Sequence, residues 1–304
     1  MQMANSRTGD PTLRRHVRQA VRSDAAALQK LLRTGVYVHV HVDWRPPGEW
    51  LGSPGFVVYD EGAAGEMPGE QATGNITACM AVTADPPPAA WVRAAAAKST
   101  AGFSQAEAMF AEILENLDPA IEEISWFMAD YWPLHWLERL GFEPSIEVLA
   151  YFKEDLTIPP FKTLPELQVR PLLIEDIPAL VEMETAAFEP RWRHSAADLN
   201  LAWRNSLSFD VALLDGKPVA YQVSTGGDGN AHLARVTVHP ERQGLGIGAT
   251  LLATAIDKYR LQNIRTVTLN TQSDNQASHR LYERFGFRLT GHSYPVWSYK
   301  VDRG

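Results

Sequence analysis

The sequence predicts an α/β (α+β) protein made of two tandem domains, each a mixed sheet flanked by helices, and three observations carry that expectation. The chain has 304 residues, 45% of them hydrophobic, which is long for one α/β domain and suits two of about 150 residues that each bury a core. Its halves repeat one another. Arg18, Asp24 and Leu28 recur as Arg170, Asp176 and Leu180 at an offset of 152, and Trp136–Phe142 recurs as Leu281–Phe287 at an offset of 145. Offsets of that size exceed solenoid periods and mark a duplicated domain. In the second half, alternating β-branched segments give way in turn to helical ones, the pattern of a sheet covered by helices.

Taken in order, Arg18–Leu28 joins a short strand to a helix with an acidic first turn. His39 and His41 alternate on one strand face; without a third ligand they read as surface or pocket residues rather than a metal site. Trp91–Gly102 stands where the second half has a glycine-rich turn, but its alanine run favours helix. Trp136–Leu140 reads as a helix stopped by Gly141. Proline-rich Leu156–Pro165 reads as a stiff connector, so the domains are placed at 13–155 and 167–304 with a linker at 156–166. In the second domain, Phe188–His194 clusters aromatics and arginines that either grip a planar or anionic substrate or pack against the other domain. Val211–Leu214 and Val219–Ser224 flank Asp215-Gly216 as a hairpin. His232–Val238 and Thr266–Asn270 alternate like strands, Ser278–Phe287 reads as a helix stopped by Gly286, and Ser293–Lys300 reads as a closing strand with its aromatics in the core.

The most informative stretch is Val236–Thr250, where a β-branched strand empties through Gly244, Gly246 and Gly248 into an apolar helix-forming run. Glycines let successive N–H groups converge at a helix N-terminus, where unpaired donors and the helix dipole suit a diphosphate. Two other phosphate binders do not fit. The third glycine arrives one residue early for a dinucleotide fingerprint, and Gly248 is followed by Ala249 and Thr250 instead of the Lys-Ser/Thr of a P-loop. What remains, Val-x-Val-x-Pro followed by Gln243-Gly-Leu-Gly-Ile-Gly248, resembles the acetyl-CoA loop of the GNAT superfamily of N-acetyltransferases. The order downstream agrees with it: a strand at Thr266–Asn270, Asn275 in a polar turn, then a helix carrying Tyr282 shortly before Gly286-Phe287.

That resemblance covers nearly the whole chain as a fold and is motif-specific from about 231 to 287. It implies two GNAT-like domains with mostly antiparallel mixed sheets, an intact second copy, and a tandem arrangement similar to that of mycothiol synthases. It implies acetyl-CoA as the cofactor, with Val236 and Val238 meeting its pantetheine arm through backbone groups and Gln243, Gly244, Leu245, Gly246, Ile247 and Gly248 holding the diphosphate. Asn275 matches the position that hydrogen-bonds the cofactor, and it equally suits capping the next helix. Alone, Tyr282 would read as a core aromatic; with the glycine turn in register it reads as the general acid, since a phenol near pKa 10 stays protonated at neutral pH and sits close to a thiol near 8.5. His232 is the candidate base or water relay, weighed against a hydrogen-bonded strand histidine. Water alone suffices for an amine that titrates near 8.

The first copy departs from this pattern. Trp91–Gly102 has one glycine where the second copy has three, and Leu137 stands at the position of Tyr282, so the first domain is expected to be degenerate and non-catalytic, forming one wall of the substrate cleft. Residues 1–165 carry 13 Lys+Arg against 21 Asp+Glu and residues 166–304 carry 15 of each, so the net charge of −8 sits in the first half. Neither half has the basic face of a nucleic-acid binder. The segment 232–260 is locally positive through Arg235, Arg242, Lys258 and Arg260, which suits a polyanionic cofactor. Cys79 is the single cysteine and reads as a buried small hydrophobe, excluding an internal disulfide. No stretch approaches 18 uncharged apolar residues and Met1–Asp10 has no apolar leader region, so no membrane partner and a cytoplasmic location are expected.

The function expected is acetyl-CoA-dependent N-acetyl transfer to a primary amine by direct attack in a ternary complex, in a monomer or homodimer, with no metal. A small-molecule amine is favoured and a peptide or protein N-terminus is the alternative. A rival of another class is a non-catalytic acyl-CoA-binding sensor, against which the presence of a thiolate acid at Tyr282 argues.

Overall fold

In the computed structural model, which describes residues 11–62, 75–84, 86–129 and 131–303, the repeated Arg–Asp spacing builds the same joint twice. Arg18 forks onto Asp24 at 2.7 and 2.9 Å, and Arg170 onto Asp176 at 2.7 and 2.8 Å. Each carboxylate also accepts the backbone N–H three residues before it, from Val21 and from Leu173, both at 2.9 Å. A bidentate guanidinium and an N–H together fix the turn from strand to helix, which is why this spacing survives in both halves. The segment Met1–Asp10 read for a leader lies outside the described residues.

The chain divides into two compact units. Residues through Ser145 together with those from Pro295 onward form one, and Ile146–Tyr294 form the other. The first unit contains α1 (Pro11–Arg14), β1 (Val17–Gln19), α2 (Ala25–Thr34), β2 (Tyr37–Val40), β3 (Phe56–Asp60), β4 (Ile76–Ala84), β5 (Ala89–Ala97), α3 (Phe103–Glu115), β6 (Glu123–Phe127), α4 (Leu134–Leu140) and the start of β7 (Glu143–Lys153). The second continues β7 and adds β8 (Gln168–Pro171), α5 (Ile177–Ala187), α6 (Ala196–Asn205), β9 (Ser208–Leu214), β10 (Lys217–Gly227), β11 (Asn230–Val238), α7 (Ile247–Leu261), β12 (Thr266–Gln272), α8 (Gln276–Arg284) and the start of β13 (Arg288–Lys300).

The sheets share one plan. In the first unit the order is β1-β3-β4-β5-β6-β13, with β2 also on β5, and in the second it is β7-β12-β11-β10-β9-β8. All pairs are antiparallel except β5 with β6 and β11 with β12. The fold is therefore the mixed, mostly antiparallel α/β arrangement predicted. The closing strands are the surprise. Val296–Lys300 of β13 pairs with β6 and completes the first sheet, where Trp297 and Tyr299 join the core of α3 and α4, while Val148–Lys153 of β7 pairs with β12 and completes the second. The Ser293–Lys300 aromatics are core residues as expected, in the core of the first unit.

One element overturns its expectation. The alanine run at 94–97 is the buried strand β5, not helix. Intrinsic propensity loses here to position: β5 pairs with β2, β4 and β6, Ala95 and Ala97 face the α3 side, and Ala94 and Ala96 face the α2 side, so a strand covered on both faces selects small side chains. Cys79 on the neighbouring strand is fully buried, and burial pushes its thiol up to about 12.

The second unit supplies what the glycine turn needs. The hairpin at Asp215-Gly216 has φ of 52° and 73°, the paired positive dihedrals of a tight two-residue turn, and it places β10 beside β11. The connector at 156–165 packs on this unit, with Leu156, Ile158 and Phe161 against the core of α7 and α8 and the Pro160 carbonyl accepting from Arg284 at 2.6 Å.

Candidate active site

Parallel pairing of β11 with β12 runs only from Asn230 to Leu233. Beyond Leu233 the two strands part, and β11 continues on β10 alone through Val238. Because His239 N–H donates to Val219 O at 2.9 Å, alternation of the antiparallel ladder turns residues 235 and 237 toward β10 and leaves the N–H and C=O of Val236 and Val238 facing the parting strands. Among the described residues neither has a strand partner on that side, and the Val238 carbonyl accepts from Gln243 Nε2 at 3.3 Å. Here they line a cleft of about 760 Å³.

The glycine turn follows. Gly244 and Gly246 have φ of 76° and 87°, a region that excludes most side chains. A Cβ on Gly246 would stand 2.5 Å from the Lys162 carbonyl oxygen of the connector, so the close approach also requires glycine there. Gly246 is the N-cap of α7, and the first helical bond is Thr250 N–H to its carbonyl at 3.0 Å. The N–H groups of Ile247, Gly248 and Ala249 precede that bond and have no helical acceptor. Gln243, Gly244, Gly246, Ile247 and Gly248 all line the cleft, and a Cβ on Gly248 would stand 3.4 Å from the Leu281 side chain of α8. Leu245 does not line it; its side chain packs with Ile247 and Leu251 in a core cluster.

Tyr282 lies on the opposing wall. Its helix ends at Gly286, φ 78°, with Phe287 N–H bonded to the Tyr282 carbonyl at 3.0 Å, and Gly141 at 89° and Phe142 N–H to the Leu137 carbonyl at 2.9 Å reproduce that terminus in the first unit. Burial pushes the Tyr282 phenol up to about 12, opposed by a hydrogen bond from Ser278 and the charge of Arg235. Asn275 serves as the N-cap of α8, its Oδ1 accepting from Ser278 N–H at 3.1 Å. The cap uses the oxygen and not the amide nitrogen, and Asn275 lines the cleft.

His232 is not brought to this cleft. Its Nδ1 lies 2.9 Å from Thr268 Oγ1, and burial lowers its pKa. A hydrogen bond of this kind is what the alternative reading of His232 expects. The local positive charge at 232–260 also resolves differently from expectation: Arg235 pairs with Glu184, Lys258 with Asp210 and Arg260 with Asp257, so of the four cations only Arg242 lines the cleft. Counting charges along the chain could not see partners from other elements. Lys162, Arg280 and Arg284 line the cleft beside Arg242 instead.

Sequence reasoning missed Glu184 altogether. It is fully buried on α5 and accepts from Tyr221 at 2.5 Å, Thr237 at 3.1 Å, the His194 N–H at 3.0 Å and Arg235. Burial opposes its ionisation, but the charges of Arg235 and His194 and the bonds from Arg235 and Tyr221 outweigh it and hold the carboxyl below its usual range. Burial and the same carboxylate push the Tyr221 phenol well above 10. An acid 51 residues from its arginine leaves no local signal.

A family model described as the acetyltransferase (GNAT) family matches residues 177–287. The chain is 31% identical over 121 residues to an uncharacterized N-acetyltransferase of Methanocaldococcus jannaschii, spanning 40% of this chain and 77% of that protein. It is 30% identical over 130 residues to the [ribosomal protein bS18]-alanine N-acetyltransferase of Escherichia coli K12, spanning 42% of this chain and 86% of that one. The chain belongs to the GNAT acetyltransferase family. As a fold, this GNAT chain matches a tandem GNAT protein from the clavulanic acid biosynthesis pathway with a TM-score of 0.60, at 15% identity, over 95% of this chain and 99% of that one. It is an acyltransferase with tandem GNAT domains, which sets aside the non-catalytic sensor, and GNAT enzymes use acetyl-CoA and act on amines. Among the described residues no helix is long and apolar enough to cross a membrane, and no group of three or more metal-ligating side chains occurs.

Proposed function

We propose that the second unit transfers an acetyl group from acetyl-CoA to a primary amine by direct attack in a ternary complex, with a small-molecule amine favoured. The observation that carries this reading is the convergence on one cleft of the outward backbone edge of β11, which has left β12, the open N-terminus of α7 and Tyr282. The residues fit acetyl-CoA: the N–H groups that open α7 have no helical acceptor, and Lys162, Arg242, Arg280 and Arg284 line the same cleft and suit phosphates.

Acetyl-CoA supplies an activated acyl group and a thiol leaving group. In this reading the N–H groups at 244–249 hold the diphosphate, the outward backbone groups of Val236 and Val238 align the pantetheine arm, and a freed N–H of β11 polarises the acyl oxygen. Asn275 keeps its helix-capping role and offers its amide nitrogen to the cofactor. Tyr282 holds the proton that the leaving sulfur takes. With its phenol at about 12, Tyr282 is a weaker acid than a thiol in water, so transfer depends on the sulfur being shielded from water in the same cleft, where a thiolate gains proton affinity for the same reason. No role is assigned to His232, and the amine proton leaves to water. Similarity to the bS18-alanine enzyme supports a peptide N-terminus as the second reading of the acceptor.

The test is release of free thiol from acetyl-CoA with a panel of small amines and short peptides, run on the full chain and on Tyr282→Phe. We expect amine-dependent release by the parent protein and a fall of about a hundredfold or more in turnover for the variant, with acetyl-CoA affinity kept. Equal turnover in both would remove Tyr282 from the mechanism. Thiol release with a peptide but none of the small amines would move the acceptor to the second reading.

A further inference from the structure

Phe188, Glu189 and Trp192 form the wall of the cleft that follows α5, and the backbone of this wall is tied to two buried charges. The Arg235 guanidinium donates to the Trp192 carbonyl at 2.6 Å and lies 3.5 Å from the centre of the Phe188 ring. Glu184 accepts the His194 N–H at 3.0 Å with the oxygen that also binds Arg235. Tyr221 and Thr237 complete the shell of the carboxylate at 2.5 and 3.1 Å.

Two apolar residues of similar volume would fill this space without the cost of burying an ion pair, which often equals or exceeds its attraction. What an ion pair adds is direction. A planar guanidinium meets a carboxylate, a carbonyl and an aromatic face at fixed angles, which a lysine or a leucine cannot reproduce. Arg235 sits one residue before Val236, so the anchor of the wall and the backbone edge that faces the cleft belong to the same strand. We propose that Glu184 and Arg235 are positioning residues that set the wall at Phe188–His194 against the β11 edge, and thereby fix the site of the acceptor amine separately from the glycine turn. This rests on the reading of the second unit as an acetyl-CoA-dependent amine acetyltransferase.

The experiment uses the full chain and its Arg235→Lys and Tyr221→Phe variants. Hydrogen exchange is followed in peptides covering 188–194 and 243–250, and acetyl transfer to benzylamine, or to an alanyl dipeptide if that is what the parent protein acetylates, is measured with both substrates varied. For Arg235→Lys we expect exchange at 188–194 to rise about tenfold with the turn unchanged, and KM for the amine to rise about tenfold or more while KM for acetyl-CoA stays within about twofold. Tyr221→Phe removes one donor from the same carboxylate and should shift both readouts the same way by about threefold. If Arg235→Lys does not fold, the Tyr221→Phe result decides. Unchanged exchange at 188–194, equal loosening of the turn, or both KM values rising together overturns the proposal. If the parent protein does not bind acetyl-CoA, the proposed function falls, while the exchange contrast still reads the positioning role.

Discussion

The two units share a parallel strand pair that stops short, and they differ in what lies beyond the stop. In the second unit β11 leaves β12 after Leu233 and its outward backbone groups face a cleft. In the first unit β5 leaves β6 after Trp91, and the chain's own strand β2 pairs with Ala94–Ala97 along the corresponding edge. His39 reinforces that insertion, with its Nε2 3.0 Å from the Val92 carbonyl, and the His41 N–H donates to Arg93 O at 2.9 Å. The turns differ in the same sense. In the first unit Gly102 N–H donates to Ser99 O and Ala101 N–H to Ser99 Oγ, whereas Gly244 and Gly246 hold left-handed conformations and open the start of α7. The first unit thus satisfies internally, through β2 and the Ser99 turn, backbone groups whose counterparts in the second unit face the cleft, and Leu137 stands there at the position of Tyr282.

The largest effect that can break this comparison is at the turn. Gly246→Val meets both a left-handed backbone and a carbonyl 2.5 Å from the new Cβ, so acetyl-CoA affinity should fall about a hundredfold or more at a folding cost of about 1–3 kcal/mol. Gly102→Ala, at φ −75°, should leave affinity within about twofold, since that turn holds no ligand in this account. Binding titrations of the two variants make the check.

Next come the twin joints. Arg18 also binds Asp60, which is fully buried, at 2.9 Å, while Arg170 has Asp176 and a backbone carbonyl. Chemical denaturation should therefore show Arg18→Ala costing about 3 kcal/mol and Arg170→Ala about 1–2 kcal/mol. Equal losses would remove Asp60 from the account. A smaller effect is expected in hydrogen exchange without mutation. Amides along the β5 edge should be protected with or without acetyl-CoA, whereas the N–H groups of Val236 and Val238 should gain about tenfold protection only on its addition.

The smallest effect expected is one of pH. In the proposed mechanism Tyr282 acts in its protonated form, and with its phenol at about 12 that form persists at every pH below. Amine deprotonation should raise kcat/KM with pH, and no decline assigned to Tyr282 should follow up to about pH 10. A falling limb there that disappears in Tyr282→Phe would contradict the assigned pKa.

Much of the fold was legible because it is written locally. The Arg-x5-Asp joints, the Asp215-Gly216 hairpin, the glycine turn and the helix end at Gly286 each depend on residues within a few positions of one another. What escaped depends on partners far along the chain. Ala94–Ala97 is a strand because neighbours cover it on both faces, Arg235 and Lys258 are neutralised by Glu184 and Asp210, and β13 pairs with β6. The same holds for the first cleft, since nothing in Tyr37–Val40 itself says that it will fill a gap beside β5. The exchange of closing strands also bears on experiment, because a fragment starting at 166 would lack Val148–Lys153, the partner of β12.

The most direct test is calorimetric titration of the full chain with acetyl-CoA. One site per chain is expected, abolished by Gly246→Val and kept in Tyr282→Phe. Two sites per chain, no heat at all, or one site that survives Gly246→Val would contradict it.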